Sequence, residues 1–142
     1  MMIEVAPGLF LGRSDAVAAV AAADALKPVF EVNCTKELPM LGRPGGELRV
    51  PVDDDGSEDC NDAMLTHLPA AAAAIRDRLA AGYRVLVHCP DGQQRSPAVV
   101  AAYLMEATGS CGADLAMAKV SARKTDAFFP KPNFEDALER FH

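Results

Sequence analysis

The segment between residues 84 and 97 places the tightest constraint on how this chain can fold. An apolar run at Arg84–Val87 is typical of a buried strand, and a helical pattern opens at Ser96-Pro97. Between them lies a short polar loop that begins with Cys89 and ends with Arg95. The chain therefore passes from strand to helix within a few residues, which places this loop at a helix N-terminus.

The residue types of this loop suit covalent chemistry on a phosphate group. Loop N–H groups and the positive end of the helix converge where they stabilise both a thiolate and a phosphate dianion. Cys89 would be the nucleophile there, and Gly92 would let the backbone turn inward. Arg95 offers a planar fork for two phosphate oxygens, and the Ser96 hydroxyl would cap the helix and donate to Cys89. We predict a phosphate cradle with its nucleophile at the base.

The predicted phosphate-binding set takes in the whole loop. It comprises Pro90, Asp91, Gly92, Gln93, Gln94 and Arg95. Gln93 and Gln94 are expected to supply backbone amides while their side chains face solvent. Asp91 adds a carboxylate that weakens the field holding an anion. His88 has two interpretations that stay open: it tunes Cys89 through hydrogen bonds, or it is a satisfied buried imidazole.

A displaced alkoxide or phenoxide must be protonated, so the reaction also requires a general acid. Three consecutive aspartates, Asp53, Asp54 and Asp55, follow the apolar run that ends at Val52. A loop at this point would bring a carboxylic acid over the pocket and later activate the water that hydrolyses a phosphocysteine. Charge alone does not choose among the three.

Composition bounds the class of protein and its partners. With 142 residues, half of them apolar, a single domain over residues 1–142 is the simplest organisation. The net charge of −6 and the acidic run at 53–62, expected as a solvated loop, argue against a nucleic-acid partner. Neither a membrane span nor a signal peptide is visible, so we expect a cytoplasmic location and no membrane association. The four cysteines are widely spaced and do not show the spacing of zinc ligands. We therefore expect reduced thiols and no metal or other cofactor.

Alternating strand and helix patterns predict an α/β fold with a central, mostly parallel sheet of about five strands and helices on both faces. Strands are predicted at Ile3–Val5, Leu9–Leu11, Val29–Asn33, Leu48–Val52 and Arg84–His88. Helices are predicted from Ser14 or Asp15 to Leu26, at Asp62–Ala81, Ser96–Thr108 and 112–124, and from an Asn133 cap to the C-terminus. The Cys89 loop then lies at a strand's carboxyl end, where such sheets bind ligands.

The run from His88 to Ser96 resembles the His-Cys-x-x-Gly-x-x-Arg-Ser signature of the cysteine-based dual specificity protein phosphatases of the protein tyrosine phosphatase superfamily. Similar segments extend over nearly the whole chain: Pro7–Gly12, Val32–Glu37, Val50–Asp54, Ala102–Met105 and Pro132–Phe134. The resemblance implies a minimal, metal-free phosphatase α/β domain. It also places the general acid on Asp54, with Asp53 and Asp55 as the alternatives if the register slips.

The resemblance further implies supporting roles for Asn33 and Cys34, which match the family's Asn-Val-Thr strand end. In some relatives a cysteine on this strand lies behind the loop and forms a reversible disulfide with the nucleophile. A buried small apolar side chain is the alternative for Cys34.

The function implied is removal of phosphate from phosphotyrosine, phosphoserine and phosphothreonine of protein substrates through a phosphocysteine. Two alternatives stay open. One is a catalytically weak phospho-binding scaffold, which only Asp91 favours. The other is a phosphatase of a non-protein substrate such as a phosphoinositide or an RNA 5′ end, which the acidic 53–62 run disfavours. The sequence does not define an oligomeric state.

Overall fold

The computed structural model describes residues 2–13, 28–109 and 111–141. Within these residues it contains five strands: β1 Met2–Ala6, β2 Leu9–Gly12, β3 Val29–Asn33, β4 Glu47–Arg49 and β5 Arg84–His88. The same residues form four helices: α1 Glu58–Ala80, α2 Arg95–Ala107, α3 Ala113–Arg123 and α4 Glu135–Arg140. The helix predicted from Ser14 or Asp15 to Leu26 lies outside the described residues.

The strands form one sheet in the order β1-β2-β5-β3-β4. Strands β1 and β2 pair antiparallel, and all the other pairs are parallel. The prediction of a mostly parallel five-stranded sheet is therefore confirmed. Strand β5 is central, and its last residue, His88, pairs with Gly12 of β2 and Asn33 of β3. The loop that follows His88 thus leaves from the middle of the sheet's carboxyl edge.

The two faces of the sheet differ in what covers them. Side chains of β2, β3 and β5 that alternate toward one face join the described helices in the main hydrophobic core: Leu9, Leu11, Phe30, Val32, Val85 and Val87. The opposite face carries a smaller apolar cluster with Val29 and Leu86 at its centre. Glu31 and His88 are also buried, so β3 and β5 bring ionisable groups into the interior.

Strand β4 is shorter than the predicted Leu48–Val52, because it ends at Arg49. The Val50 N–H still donates to the Asn33 carbonyl at 2.8 Å, but the Val52 N–H turns back to the Val50 carbonyl. Pro51 between them has no N–H to continue a ladder. The chain therefore leaves the sheet at this point and carries the three aspartates away from its edge.

Helix α1 begins at Glu58, four residues before the predicted Asp62. The Ser57 side chain caps it by accepting from the Cys60 N–H at 3.2 Å, and Glu58 and Asp59 oppose the positive end of the helix dipole. The second half of the acidic run is thus a helix start and not the solvated loop expected. The helix continues through Pro69, and no helix in the described residues is long and apolar enough to cross a membrane.

Helix α4 lacks the predicted Asn133 cap. Phe134 occupies the N-cap position and makes no side-chain capping bond. The N–H of Ala137 in the first turn instead donates to Oδ1 of Asn61, a buried residue of α1, at 2.9 Å. The prediction was wrong because a neighbouring helix supplies the acceptor, which leaves the Asn133 side chain free for another contact.

Gly45 lies against the backbone of β3, which makes the edge of the sheet sensitive to substitution. A Cβ at Gly45 would come within 2.1 Å of the Val29 carbonyl oxygen. We expect Gly45→Ala to lower the free energy of unfolding in urea by about 2 kcal/mol or more, because the backbone must move apart. Gly112→Ala is the control: a Cβ there would meet nothing within 4 Å among the described residues, so the change should cost only the N-cap preference for Gly over Ala at the start of α3, about 0.5–1 kcal/mol. Equal effects of the two substitutions would contradict this account of the edge.

Candidate active site

Cys89 is the first residue after β5, and it is buried with 3% of its surface exposed. Its Sγ lies 3.1 Å from the Ser96 hydroxyl oxygen and 3.5 Å from the Ser96 backbone nitrogen. The Ser96 N–H donates to this sulfur, and the Ser96 hydroxyl is placed to donate to it as well. The arrangement suits Cys89 to act as a thiolate nucleophile.

Ser96 does not cap α2 as the sequence predicted. The helix begins at Arg95, Gln94 is its N-cap, and no side chain in the described part of the chain makes a capping bond there. Ser96 lies one residue inside the first turn and is fully buried. Its hydroxyl is directed to the sulfur of Cys89, so the contact with the nucleophile replaces the cap.

Gly92 has the left-handed backbone conformation that the tight loop requires, with φ of +67°. A Cβ at this position would meet the Gly12 carbonyl oxygen at 3.1 Å and the Lys124 Cε at 3.2 Å. The buried Lys124 amino group forms an ion pair with Asp126. Sequence reasoning missed Lys124, because nothing local to residue 124 indicates that it packs behind the loop.

Arg95 is held at two points, both through Nη1 of its guanidinium. Its Nη1 donates to the Val52 carbonyl at 3.0 Å and lies 3.6 Å from a carboxylate oxygen of Glu37. Its Nε is buried and has no hydrogen-bond partner among the described residues. A buried guanidinium N–H without an acceptor is costly, and an anion in the loop would remove that cost. Glu37, which the sequence analysis did not single out, helps to fix the guanidinium.

The three aspartates after Val52 have different partners. Asp53 forms an exposed ion pair with Lys36 at 2.8 Å. Asp55 accepts from the Cys60 thiol and from the backbone N–H of Ser57, and these bonds, Cys60 first, lower the pKa of Asp55 to about 2. Asp54 accepts from the side-chain amide of Asn133 at 2.7 Å. Asp55 therefore holds no proton to donate near neutral pH.

The side chain of Gln94 turns inward, so the prediction that it faces solvent was wrong. It is buried, and its Nε2 donates to the carbonyls of Phe129 and Lys131, both at 2.9 Å. Its Oε1 accepts from the Asn133 N–H, also at 2.9 Å. The cause is that residues 129–133 pack against the loop and provide the hydrogen-bond partners of Gln94, which no local pattern around Gln94 indicates. Asp91, in contrast, is exposed.

His88 forms its side-chain contact with Glu31 and not with Cys89. The Nε2 of His88 lies 2.7 Å from a carboxylate oxygen of Glu31, and both side chains are buried. The second carboxylate oxygen of Glu31 accepts from the Leu41 N–H at 2.7 Å. The residue that precedes the nucleophile is thus tied to β3 and to the segment that leads into β4.

Asn33 and Cys34 lie at the carboxyl end of β3, next to the loop. The Asn33 carboxamide bonds to Thr35 and to the Leu38 carbonyl, which shapes the turn after β3. The N–H of Cys34 donates to the His88 carbonyl at 2.9 Å. Burial raises the pKa of the Cys34 thiol, and a nearby Cys89 adds to the rise while Arg95 opposes it. Cys34 therefore favours the protonated thiol, and its role as a redox partner of Cys89 stays a prediction.

Comparison with known proteins matches this geometry to a family. The model of the dual specificity phosphatase catalytic domain matches residues 9–142. The chain belongs to the dual specificity phosphatase family. It is a cysteine-dependent protein phosphatase, as the resemblance of its loop implied.

Individual relatives of this dual specificity phosphatase cover almost its whole length. It is 37% identical to human dual specificity phosphatase 28 over 141 residues, which span 99% of this chain and 77% of that protein. The crystal structure of human DUSP28 has a TM-score of 0.84 at 35% identity and covers 99% of this chain and 91% of that chain. The crystal structure of DUSP15 has a TM-score of 0.83 at 28% identity, with 99% and 86% covered.

The close packing around Gly92 predicts a selective effect of a single methyl group. Gly92→Ala should lower kcat/KM for p-nitrophenyl phosphate more than about tenfold and weaken inhibition by inorganic phosphate, because the loop must move to make room for the Cβ. Gly109→Ala is the matched control: Gly109 has φ of +76°, and its Cβ would meet none of the described residues within 4 Å. Both variants share the backbone strain, about 1 kcal/mol. If Gly109→Ala lowers activity as much as Gly92→Ala, stability and not loop shape is the cause.

Proposed function

We propose that this phosphatase removes phosphate from phosphotyrosine, phosphoserine and phosphothreonine of protein substrates through a covalent phosphocysteine on Cys89. The observation that carries the proposal is the contact of the buried Cys89 sulfur with both the hydroxyl and the N–H of Ser96. The buried Nε of Arg95 supports it: this nitrogen has no acceptor within residues 2–13, 28–109 and 111–141, and an incoming phosphate oxygen would supply one.

In the first step the Cys89 thiolate attacks phosphorus. The sulfur–phosphorus bond forms as the bond to the substrate oxygen breaks, and the leaving oxygen takes a proton from Asp54. Arg95 binds oxygens of the transferring phosphoryl group, while its contacts with Val52 and Glu37 keep the guanidinium oriented.

In the second step a water molecule attacks the phosphocysteine. The ionised Asp54 takes a proton from this water, and the sulfur leaves as a thiolate with inorganic phosphate as the product. Donation from the Ser96 hydroxyl stabilises that thiolate as the leaving group. Ser96 thus supports the sulfur in both steps, as nucleophile and as leaving group.

Asp54 is the aspartate best suited to be the acid. A group that donates and then accepts a proton must not be locked in the ionised form. The bonds from Cys60 and Ser57 lower the pKa of Asp55 to about 2, and the Asp53 carboxylate is already engaged by Lys36 in an exposed ion pair. Asp54 has an uncharged partner, Asn133, and follows Val52, whose carbonyl contacts Arg95, by two residues.

The alternatives receive less support from the described residues. A phospho-binding scaffold has no need of a hydroxyl placed on the Cys89 sulfur, and the exposed position of Asp91 lets water screen its charge. Asp53, Asp54 and Asp55 disfavour substrates with several phosphates, such as phosphoinositides or RNA 5′ ends. We further propose one catalytic domain over residues 1–142 and a cytoplasmic location, where a reducing environment keeps the Cys89 thiol available.

Substitution of the three aspartates tests the assignment of the acid. Asp54→Asn should lower kcat for phenyl phosphate roughly 100-fold, because a phenol with a pKa of about 10 leaves poorly without a proton. The same variant should hydrolyse 2,4-dinitrophenyl phosphate at nearly the normal rate, since that leaving group needs no proton. Asp53→Asn and Asp55→Asn are the controls and should keep phenyl phosphate turnover within a few-fold. A selective loss in either control, and none at Asp54, would refute the assignment.

A further inference from the structure

Asn133 connects the general-acid loop to the phosphate loop, although it lies about 40 residues or more from both in sequence. Its side-chain Nδ2 donates to Oδ1 of Asp54 at 2.7 Å. Its backbone N–H donates to the side chain of Gln94, the residue before the phosphate-binding arginine. One residue therefore contacts both the proposed proton donor and the loop that would hold the phosphate.

The backbone of Asn133 is fixed on its carbonyl side as well. The Nδ2 of Asn61 donates to the Asn133 carbonyl at 3.0 Å, and Asn61 is buried. Gln94 adds bonds to the carbonyls of Phe129 and Lys131, which secure the segment before Asn133. Because the backbone is held on both sides, the interior of the protein fixes the point from which the Asn133 side chain extends to the exposed aspartate loop.

We propose that Asn133 is a positioning residue for the chemical step, and that Gln94 sets its distance from the phosphate loop. The inference rests on the proposed role of Asp54 as general acid. A side-chain amide can donate both to a carboxylate and to the carbonyl oxygen of a protonated carboxyl, although the bond to the carboxylate is the stronger one. Occupation of Oδ1 leaves Oδ2 of Asp54 to carry the proton, so Asn133 orients the acid in both steps of the reaction.

The physical benefit is a smaller loss of freedom in the transition state. Asp54 lies in an exposed loop, where a side chain without a fixed partner samples several rotamers. A bond to an anchored amide restricts the carboxyl before the substrate arrives, and such preorganisation lowers the barrier of the step that uses the proton. Substrate binding does not use that proton, so the effect belongs in kcat.

Aryl phosphates with good and poor leaving groups separate this role from a general structural one. We expect Asn133→Ala to lower kcat for phenyl phosphate roughly tenfold, the effect of about one hydrogen bond to a charged group. Turnover of 2,4-dinitrophenyl phosphate and the KM for both substrates should stay within about twofold. Gln94→Ala should also lower kcat for phenyl phosphate more than kcat for 2,4-dinitrophenyl phosphate, because it removes the bond that holds the Asn133 backbone.

Two further variants separate the loss of this one hydrogen bond from misfolding and from a general effect of contacts to the aspartate loop. Asn133→Asp keeps the side-chain shape and the backbone bonds but replaces the donor with an acceptor, so it should show the same selective loss. Lys36→Ala is the matched control, since it removes the exposed Lys36–Asp53 contact of similar length beside the same loop. It should leave phenyl phosphate turnover within about twofold.

A double-mutant cycle decides between the possible outcomes. Asn133→Ala should cost nothing more in an Asp54→Asn background, because the carboxyl that it orients is already gone. An undiminished tenfold loss in that background, or an equal loss on both substrates, would overturn the positioning role and leave the function of Asp54 intact. Wild-type phenyl phosphate turnover in Asn133→Asp would overturn it as well. Failure of the proposed function would be seen in a different variant: Asp54→Asn itself would then affect phenyl phosphate and 2,4-dinitrophenyl phosphate equally.

Discussion

The contact between the Cys89 sulfur and Ser96 is the interaction on which the rest of the site depends. It exists because β5, the central strand, ends at His88 and α2 begins at Arg95, which folds the six intervening residues back on themselves. Gly92 makes that return possible with its positive φ. The geometry brings a helix N-terminus to a buried thiol, and a field that stabilises a thiolate also attracts a phosphate dianion.

Distant segments complete the site around this contact. The carbonyl of Val52 orients Arg95 from one side, and the segment at 129–133 is held by Gln94 from the other. Asn133 then connects that segment to Asp54. A chemistry centred on one short loop therefore depends on hydrogen bonds between residues 35 to 79 positions apart in the chain.

Local pattern was sufficient where the structure follows local rules. The strands Val29–Asn33 and Arg84–His88 have the predicted bounds, because each is a short apolar run in the interior of the sheet. The sequence failed where distant residues supply the partner: Asn61 replaces Asn133 at the start of α4, and the 129–133 segment draws Gln94 inward. Charge could not choose among three aspartates, whereas their partners Lys36, Asn133 and Cys60 distinguish them.

Transfer of the phosphoryl group through Cys89 is the step that defines the proposed reaction. Its most direct test is acid quenching of the enzyme during turnover of 2,4-dinitrophenyl phosphate, followed by peptide mass spectrometry, with Ser96→Ala used to slow the second step. We expect a phosphoryl group on Cys89 that accumulates in Ser96→Ala and is absent from Cys89→Ser. A phosphoryl group on another residue, or full turnover by Cys89→Ser, would contradict it.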